Sequence, residues 1–344
     1  MIPVQNIYYM LAYAFRVLKE QGYKNIATEQ FDNVTELCAA ILAKGVSVQI
    51  KRGLGREYIQ ETEPLSALRG KIEVTDSIKT QTMLRKQMVC TYDVFSVNAY
   101  RNRILKTTML LLLRSDLSKR RKKELRKLLV YFDEVEVLDI HSINWNLQYD
   151  RNNQTYRMLI SICYLVVKGL LQTNADGTTQ LMDFLDEQRM CRLYEKFILE
   201  YYRQEFPQLH VSASQIPWAL DDGIDAMLPI MQSDITLSRG NTVLIIDAKY
   251  YQQTMQTRWE TQTLRSGNLY QIFTYVKNKD AALSGTPHTV SGMLLYAQTD
   301  EAIQPDNSYQ MSGNRIDVKT LNLGCSFSKI SEQLNGIAKD FFGV

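Results

Sequence analysis

The alternation of apolar and polar residues between positions 231 and 251 predicts two β-strands joined by a tight turn. Ile235 and Leu237 alternate with polar neighbours, as expected of a half-buried strand. Residues 243–246 (VLII) form the continuous apolar run of a fully buried strand. The residues between the two strands (SRGNT) are rich in turn formers. This stretch therefore predicts a β-hairpin.

A two-residue loop at Gly240 and Asn241 fixes which residues of this hairpin face each other. Counting outwards from that loop, Asp234 lies directly opposite Asp247, with Cβ atoms roughly 4.5–5.5 Å apart. Lys249 follows Asp247 by two residues and therefore points to the same face of the sheet. Taken singly, Asp234 also fits a strand edge, and Lys249 fits a lysine that reaches solvent. Their convergence is what predicts a functional site.

Two opposed carboxylates beside an ammonium group predict a divalent-metal site. A hard cation such as Mg²⁺ prefers oxygen ligands, and Asp234, Asp247 and the carbonyl oxygen of Ala248 would be an adequate protein set. Such a metal activates a water molecule and neutralises charge on a phosphoryl oxygen. Lys249 would hold the attacking water or stabilise the developing negative charge. Glu195 is a further candidate ligand, directly or through water, although a solvated helix residue is the plainer alternative.

The rest of the pattern alternates helices and strands. Before the hairpin it predicts helices over 8–20, 34–44, 98–113, 156–171 and 186–206, and strands over 46–51, 57–60, 70–74 and 89–95, with Gly45 ending the second helix. After the hairpin it predicts a helix over 268–277, strands over 291–298 and 315–321, and a closing helix over 328–342. Gln271 and Tyr275 share one face of their helix because they are four residues apart. This order fits an α/β fold with a mixed sheet flanked by helices.

Length and composition indicate two domains. A chain of 344 residues with 45% hydrophobic content can bury two ordinary cores. A polar, turn-like segment over 145–151 suggests the boundary, which gives one domain over 1–150 and another over 151–344.

The charge is nearly balanced overall but uneven along the chain. A net charge of +3 does not by itself indicate a nucleic-acid-binding protein. Residues 119–127 (KRRKKELRK) form the densest basic segment. A solvated helix face explains such a run, and a patch that contacts phosphates or an acidic partner is the functional alternative.

Several classes of site are not indicated. The five cysteines are widely spaced without a CxxC pair, and only three histidines are present, which argues against structural zinc and favours free thiols in a reducing cytoplasm. Gly53 and Gly55 lack the context of a phosphate-binding loop. No apolar run is long enough to span a membrane, and no secretory signal is recognisable, so we expect a soluble intracellular protein.

The spacing of Asp234 and the Asp247-Ala248-Lys249 triplet resembles the signature of the PD-(D/E)xK nuclease superfamily. The segments LYEKF (193–197) and NLYQIFTY (268–275) resemble the accompanying glutamate and glutamine–tyrosine helices. Over nearly its full length the chain resembles the McrC family, the nuclease subunits of McrBC modification-dependent restriction systems. The stretches that carry this resemblance are IPVQNIYYMLAYAF, KRGLGREY, LRGKIEV, NRILKTT, LYEKF, LPIMQSDITL, LIIDAKYY and NLYQ.

This resemblance implies an N-terminal partner-docking domain and a C-terminal restriction-endonuclease-like domain. The partner would be a McrB-like AAA+ GTPase, which recognises modified cytosine, moves the DNA and is stimulated by this subunit. The chain itself would cut double-stranded DNA, which is expected to be methylated, with Mg²⁺ as cofactor. Asp234 and Asp247 would be metal ligands and Lys249 the catalytic lysine, with Glu195, Gln271 and Tyr275 completing the site.

The residues that would stimulate the partner are less defined. Arg52, Arg56, Arg69 and Lys71 are candidates. Two other functions remain open from the sequence: a non-catalytic adaptor that activates a GTPase partner, and a stand-alone RecB-like repair nuclease. The additional domain over 1–150, which lacks any helicase or phosphate-loop motif, counts against the repair nuclease.

Overall fold

The computed structural model describes residues 2–15, 18, 29, 31–149, 154–176, 187–258 and 261–344. The chain divides into two compact units, one formed by Met1–Asp32 with Met182–Val344 and the other by Asn33–Leu181.

The elements are numbered along the chain. The α-helices are α1 (Val4–Ala14), α2 (Val34–Arg52), α3 (Val74–Lys79), α4 (Tyr100–Arg114), α5 (Lys119–Leu129), α6 (Gln154–Asp176), α7 (Glu187–Glu205), α8 (Ser266–Ala282) and α9 (Phe327–Phe342). The strands are β1 (Glu57–Leu65), β2 (Lys71–Ile72), β3 (Met88–Ser96), β4 (His210–Ser212), β5 (Gln215–Ile216), β6 (Met231–Gln232), β7 (Ile235–Arg239), β8 (Thr242–Lys249), β9 (Gln256–Arg258), β10 (Thr261–Thr263), β11 (Thr289–Ala297), β12 (Asn307–Met311) and β13 (Asn314–Leu321). Short 3₁₀ helices cover Thr82–Arg85 and Val130–Phe132.

The unit that contains the C-terminus is built on a six-stranded mixed sheet. Its strand order is β12-β13-β11-β8-β7-β4. Strand β11 runs parallel to both β8 and β13, whereas β12/β13, β7/β8 and β4/β7 are antiparallel. Helix α7 packs against β4, β7 and β8, and α8 packs against β8, β11 and β13. The predicted mixed sheet flanked by helices is therefore confirmed.

The register of the β7–β8 hairpin agrees with the sequence prediction. Ile235 pairs with Ile246, and Arg239 pairs with Thr242. Gly240, at a φ of 57°, supplies the left-handed conformation that the tight loop requires. Asp234 directly precedes the paired residues of β7. The hairpin therefore places the Asp234 side chain beside the end of β8.

Helix α8 lies unusually close to the sheet at Gly292 of β11. A Cβ atom added at Gly292 would lie 2.7 Å from Cγ2 of Val276 and 2.8 Å from Cγ1 of Ile272. Both side chains belong to α8 and to the core on this face of the sheet. The absence of a side chain at position 292 therefore sets the distance between helix and sheet.

The first helix belongs to the same unit as the C-terminal residues. The Tyr13 ring packs on Tyr201 with a centroid separation of 5.2 Å, and the Tyr9 ring stacks on Phe327 at 4.4 Å. The side-chain amide of Asn6 donates to the carbonyl oxygen of Leu323 over 2.8 Å. These long-range contacts hold α1 against α7 and the start of α9.

The second unit combines helices with a three-stranded antiparallel sheet in the order β1-β3-β2. A buried hydrogen-bond cluster joins its parts. The Asn102 amide donates to the carbonyl oxygen of Gly55 over 2.7 Å, and the Tyr156 hydroxyl donates to Asn102 Oδ1 over 2.8 Å. The Gly55 N–H in turn donates to the Tyr156 hydroxyl over 2.8 Å. Asn102 thus ties α4, α6 and the segment after α2.

One predicted boundary in this unit is wrong. Helix α2 does not end at Gly45 but continues to Arg52, so the predicted strand over 46–51 is helical. Val46 and Gln49 are buried on this extension, and their burial outweighs the weak helix preference of a valine-rich segment. The helix ends at Gly53, which has a φ of 86°.

The two units also differ in extent from the predicted domains of 1–150 and 151–344. The first 32 residues join the unit that contains the C-terminus, and α6 joins the other unit. The contacts of Tyr13 and Tyr156 described above account for both differences.

In the part of the chain that the structure describes, no helix is long and apolar enough to cross a membrane. Cys38, Cys90, Cys163, Cys191 and Cys325 are all free thiols.

We predict that Gly292→Ala lowers the free energy of unfolding by about 1–3 kcal/mol, because the new methyl group must push α8 away from β11. Urea unfolding measures the change. Gly336→Ala is the matched control, since no atom lies within 4 Å of a Cβ added in the exposed interior of α9. That variant should gain about 0.5–1 kcal/mol. Equal stability changes in the two variants would contradict the proposed close packing.

Candidate active site

Strand β8 ends between two helices and brings polar side chains to one end of the sheet. Residues 243–246 and Ala248 are buried, with β7 and β11 on either side. Asp247 directly follows four apolar residues of the strand. Although it carries a carboxyl group, it is only 1% exposed. Lys249, the last residue of the strand, remains partly exposed. A buried carboxylate at this position needs a specific partner.

Lys249 is the first partner of Asp247. Its Nζ donates a hydrogen bond to Oδ1 of Asp247 over 2.9 Å and lies 2.8 Å from Oδ2. The buried Oδ2 accepts no well-aligned hydrogen bond despite this ion pair. One carboxylate oxygen therefore retains lone pairs for a further ligand.

Asp234 approaches the same point from the other strand of the hairpin. Its Oδ2 accepts a hydrogen bond from the backbone N–H of Ala248 over 2.9 Å. Burial raises the pKa of Asp247, and the Asp234 carboxylate adds to that rise, so the two groups interact electrostatically. The structure thus brings together Asp234, Asp247 and Lys249.

Helix α8 contributes the predicted glutamine–tyrosine pair. Lys249 Nζ donates to Oε1 of Gln271 over 3.3 Å, and Nε2 of Gln271 donates to the Tyr275 hydroxyl over 2.9 Å. Tyr275 is buried in the core between α8 and the sheet. Gln271 therefore connects the lysine to a rigid part of the fold and orients its ammonium group.

Glu195 approaches from α7, on the other side of β8. Its Oε1 accepts a hydrogen bond from the Cys191 thiol over 3.0 Å, and the same sulfur lies 3.9 Å from the carbonyl oxygen of Ala248. Burial raises the pKa of Glu195, Asp234 adds to that rise, and Lys249 opposes it, so Glu195 lies within electrostatic range of both. Cys191 was not foreseen, although its position four residues before Glu195 places it on the same helix face.

A second unforeseen group lies beside the lysine. Tyr296 of β11 pairs with Lys249 in the sheet. The Asn268 amide donates to the Tyr296 hydroxyl over 2.9 Å, and the Tyr251 hydroxyl donates to Asn268 Oδ1 over 3.2 Å. These bonds connect the first turn of α8 to the end of β8. No sequence spacing signals them, because the three residues come from different elements.

The electrostatics of the cluster favour protonated carboxyls. Burial raises the pKa of Asp247 to about 7, with Lys249 opposing that rise and Asp234 adding to it. Burial also raises the pKa of Asp234 and of Glu195. Burial alone would lower the pKa of Lys249, but Asp247 and Asp234 outweigh it and raise that pKa. The site therefore holds a cationic lysine and more acidic groups than it can neutralise.

The residues fit a hard divalent cation. The available donors are the carboxylate oxygens of Asp234 and Asp247 and the carbonyl oxygen of Ala248, and Oδ2 of Asp247 lacks a hydrogen bond. A bound cation would also offset the repulsion between the buried carboxylates of Asp234 and Asp247. Among the described residues, no three His, Cys, Asp or Glu side chains are grouped closely enough to hold a metal by themselves. Direct ligation by Glu195 therefore stays a prediction.

The four basic candidates for stimulating a partner lie in the other unit. Arg52, Arg56, Arg69 and Lys71 are all exposed. Arg69 lies over the Tyr92 ring at 4.2 Å, and Lys71 forms an ion pair with Glu73 at 2.8 Å. Their role stays a prediction.

The fold and the cluster define a mixed α/β protein with an acidic, lysine-containing site at one end of its sheet. The family described as McrBC 5-methylcytosine restriction system component matches residues 4–297. The chain therefore belongs to this family.

One curated relative matches almost end to end. The type IV methyl-directed restriction enzyme EcoKMcrBC of Escherichia coli strain K12 is 29% identical over 346 residues, which cover 99% of this chain and 98% of the relative. The sequence resemblance to McrBC systems is thus confirmed.

Two solved assemblies contain similar chains. The first is the refined half-complex from the tetradecameric assembly of Thermococcus gammatolerans McrB AAA+ hexamers with bound McrC, with 17% identity, a TM-score of 0.48 and coverage of 97% of this chain and 76% of that one. The second is the cryo-EM structure of the Thermococcus gammatolerans McrBC complex, with 19% identity, a TM-score of 0.37 and coverage of 49% and 55%.

We predict that the metal-free protein loses stability as the pH rises from about 4 to about 7. The Asp247 carboxyl keeps its proton up to about pH 7 in the folded state but titrates at its ordinary value of 3.8 when unfolded. Above that value the unfolded chain binds fewer protons, so stability that is present at low pH is lost as the pH rises. Urea unfolding at pH 5 and pH 8 with a chelator measures the effect.

Asp247→Asn should be less sensitive to pH than the wild type over this range. Asp306→Asn, in an exposed ion pair with Lys319, is the control and should follow the wild type. A wild type that gains stability relative to Asp247→Asn between pH 5 and pH 8 would show that the carboxylate is stabilised in the folded state, contrary to the assignment.

Proposed function

We propose that this chain is the endonuclease subunit of a modification-dependent restriction system. It hydrolyses phosphodiester bonds in double-stranded DNA with Mg²⁺, as a PD-(D/E)xK nuclease, and acts in the cytoplasm. The observation that carries the proposal is the convergence of Asp234, Asp247 and Lys249 at the buried end of one hairpin. Membership of the McrBC family makes DNA the substrate that this site fits best.

Asp234, Asp247 and the Ala248 carbonyl would hold the cation. Bound Mg²⁺ would neutralise charge on the phosphoryl oxygens and lower the pKa of a water molecule. The protein positions this ligand set through the sheet itself, because the Ala248 N–H fixes Asp234 and the strand fixes Asp247. Glu195 would add a ligand from α7, directly or through water.

Lys249 stabilises the negative charge that develops when the nucleophile attacks the phosphate. Its ammonium is held by Asp247 and Gln271, so it is oriented before substrate arrives. The raised pKa of Lys249 keeps the group charged at neutral pH. That state suits charge stabilisation and orientation of water, and it does not suit removal of a proton by the lysine.

The proposed partner is a McrB-like AAA+ GTPase that recognises methylated DNA. The match to a methyl-directed restriction enzyme over 98% of its length supports this assignment. This subunit stimulates GTP hydrolysis through its other unit, where Arg52, Arg56, Arg69 and Lys71 are exposed candidates.

A non-catalytic adaptor is the second candidate function. The absence of a preassembled group of three metal-binding side chains among the described residues favours it. The two functions differ in what the acidic pair does: in the adaptor it is a relic or binds a structural ion, whereas the nuclease needs it for chemistry.

We predict that Asp247→Asn and Lys249→Ala each lower the rate of DNA cleavage at least about a hundredfold. The first removes a ligand charge and the second removes the stabilising cation. Cleavage of methylated duplex DNA is measured with the full chain, the AAA+ partner from the same genome, GTP and Mg²⁺. Asp306→Asn, far more exposed than Asp247, is the matched control and should cleave normally.

GTP turnover by the partner provides the second readout. Both active-site variants should stimulate it as the wild type does, because their folds and docking surfaces are intact. Undiminished cleavage in both variants would overturn the nuclease assignment. Lost stimulation together with lost cleavage would favour the adaptor.

A further inference from the structure

The positive charge of the chain is concentrated on helix α5. Residues 119–127 contain seven Lys or Arg and one Glu, whereas the whole chain has 40 Lys and Arg against 37 Asp and Glu. The rest of the chain is therefore net acidic. The excess of one sign on a helix of 11 residues is a local property that the overall charge conceals.

The one acidic residue of the helix pairs with its buried arginine. Glu124 Oε2 accepts from Arg121 Nη1 over 2.7 Å, and Arg121 is only 5% exposed. Arg121 also lies 3.4 Å from Glu36 of α2. The Glu36 carboxylate accepts a further hydrogen bond from the hydroxyl of Ser118, which caps α5. These contacts hold the first turn of α5 against α2.

Four of the remaining basic residues share the outer face of α5. Arg121 and Leu125 form the buried stripe, one turn apart. The positions opposite that stripe are Lys119, Lys123, Arg126 and Lys127, and all four are exposed. The helix is about 16 Å long, which matches the distance over which duplex DNA presents several phosphates.

Two exposed side chains follow the end of the helix. Tyr131 is 62% exposed and Val130 is 73% exposed in the following 3₁₀ turn. A tyrosine hydroxyl donates readily to phosphate oxygens. The helix thus offers exposed cations, and the turn that follows it offers a neutral donor.

We propose that the outer face of α5 binds the phosphate backbone of double-stranded DNA, as a contact surface on the unit that does not contain the catalytic cluster. The inference rests on the proposed function, which makes DNA the substrate. Lysines and arginines on a rigid helix bind phosphates without reading sequence. The surface holds DNA that the AAA+ partner has selected and moved.

The test compares Lys123→Ala/Lys127→Ala with a matched double variant, Lys329→Ala/Lys339→Ala, on exposed positions of α9. Binding of the full chain to a short labelled duplex is followed by fluorescence anisotropy over a series of salt concentrations, with a chelator and without Mg²⁺. Loss of two phosphate contacts should make the slope of log K against log salt shallower by about 1.8. At 0.15 M salt this corresponds to about a thirtyfold loss of affinity.

The control variant should bind nearly as the wild type does, and both should unfold at the same urea concentration. The proposal is overturned if the α5 variant binds like the wild type, if both variants weaken equally, or if the wild type shows no salt-dependent binding. Normal DNA affinity with lost stimulation of GTP turnover would show that α5 docks an acidic protein surface instead. If the chain is not a nuclease, the result differs. DNA then binds through α5 in a salt-dependent way, but no cleavage follows when partner, GTP and Mg²⁺ are added.

Discussion

Two like-charged carboxylates are held together at the buried end of one hairpin, and the rest of the site depends on that constraint. The two-residue loop fixes the register, so Asp234 cannot move away from Asp247 without shifting the apolar residues of the strand to the wrong face. Lys249 balances only one negative charge. Burial makes the remaining negative charge energetically unfavourable, and the pKa values of both Asp234 and Asp247 are therefore raised. This charge balance is the reason we propose a divalent cation as the ligand of the site.

The sheet makes the constraint possible. Strand β8 is flanked by β7 and β11 and packed by α7 and α8, so its end is rigid and both helices present side chains there. Gln271 orients the lysine, while Cys191 holds Glu195 on the opposite side. Gly292 lets α8 approach closely enough for this arrangement. The same rigidity that stabilises the core therefore places the charged groups before any ligand binds.

Local sequence signals are sufficient to predict the β7–β8 hairpin and most helices and strands, but not every boundary or long-range contact. The turn chemistry determines the register, and the four-residue spacing of Gln271 and Tyr275 determines a shared helix face. The predicted helix end at Gly45 is wrong, because packing of buried residues keeps α2 helical beyond this glycine. A glycine at this position usually ends a helix. The cluster around Asn268 and the placement of α1 beside α7 depend on residues far apart in the chain. Periodicity carries no information about such contacts.

Direct measurement of cation binding tests the central claim without relying on cleavage. Mn²⁺, which substitutes for Mg²⁺ at oxygen-rich sites, can be titrated into the purified chain at pH 8 and followed by electron paramagnetic resonance. The structure predicts that the wild type binds the ion and that Asp234→Asn and Asp247→Asn bind it at least about tenfold more weakly. Unchanged binding in both variants would contradict the claim that the opposed carboxylates form a metal site.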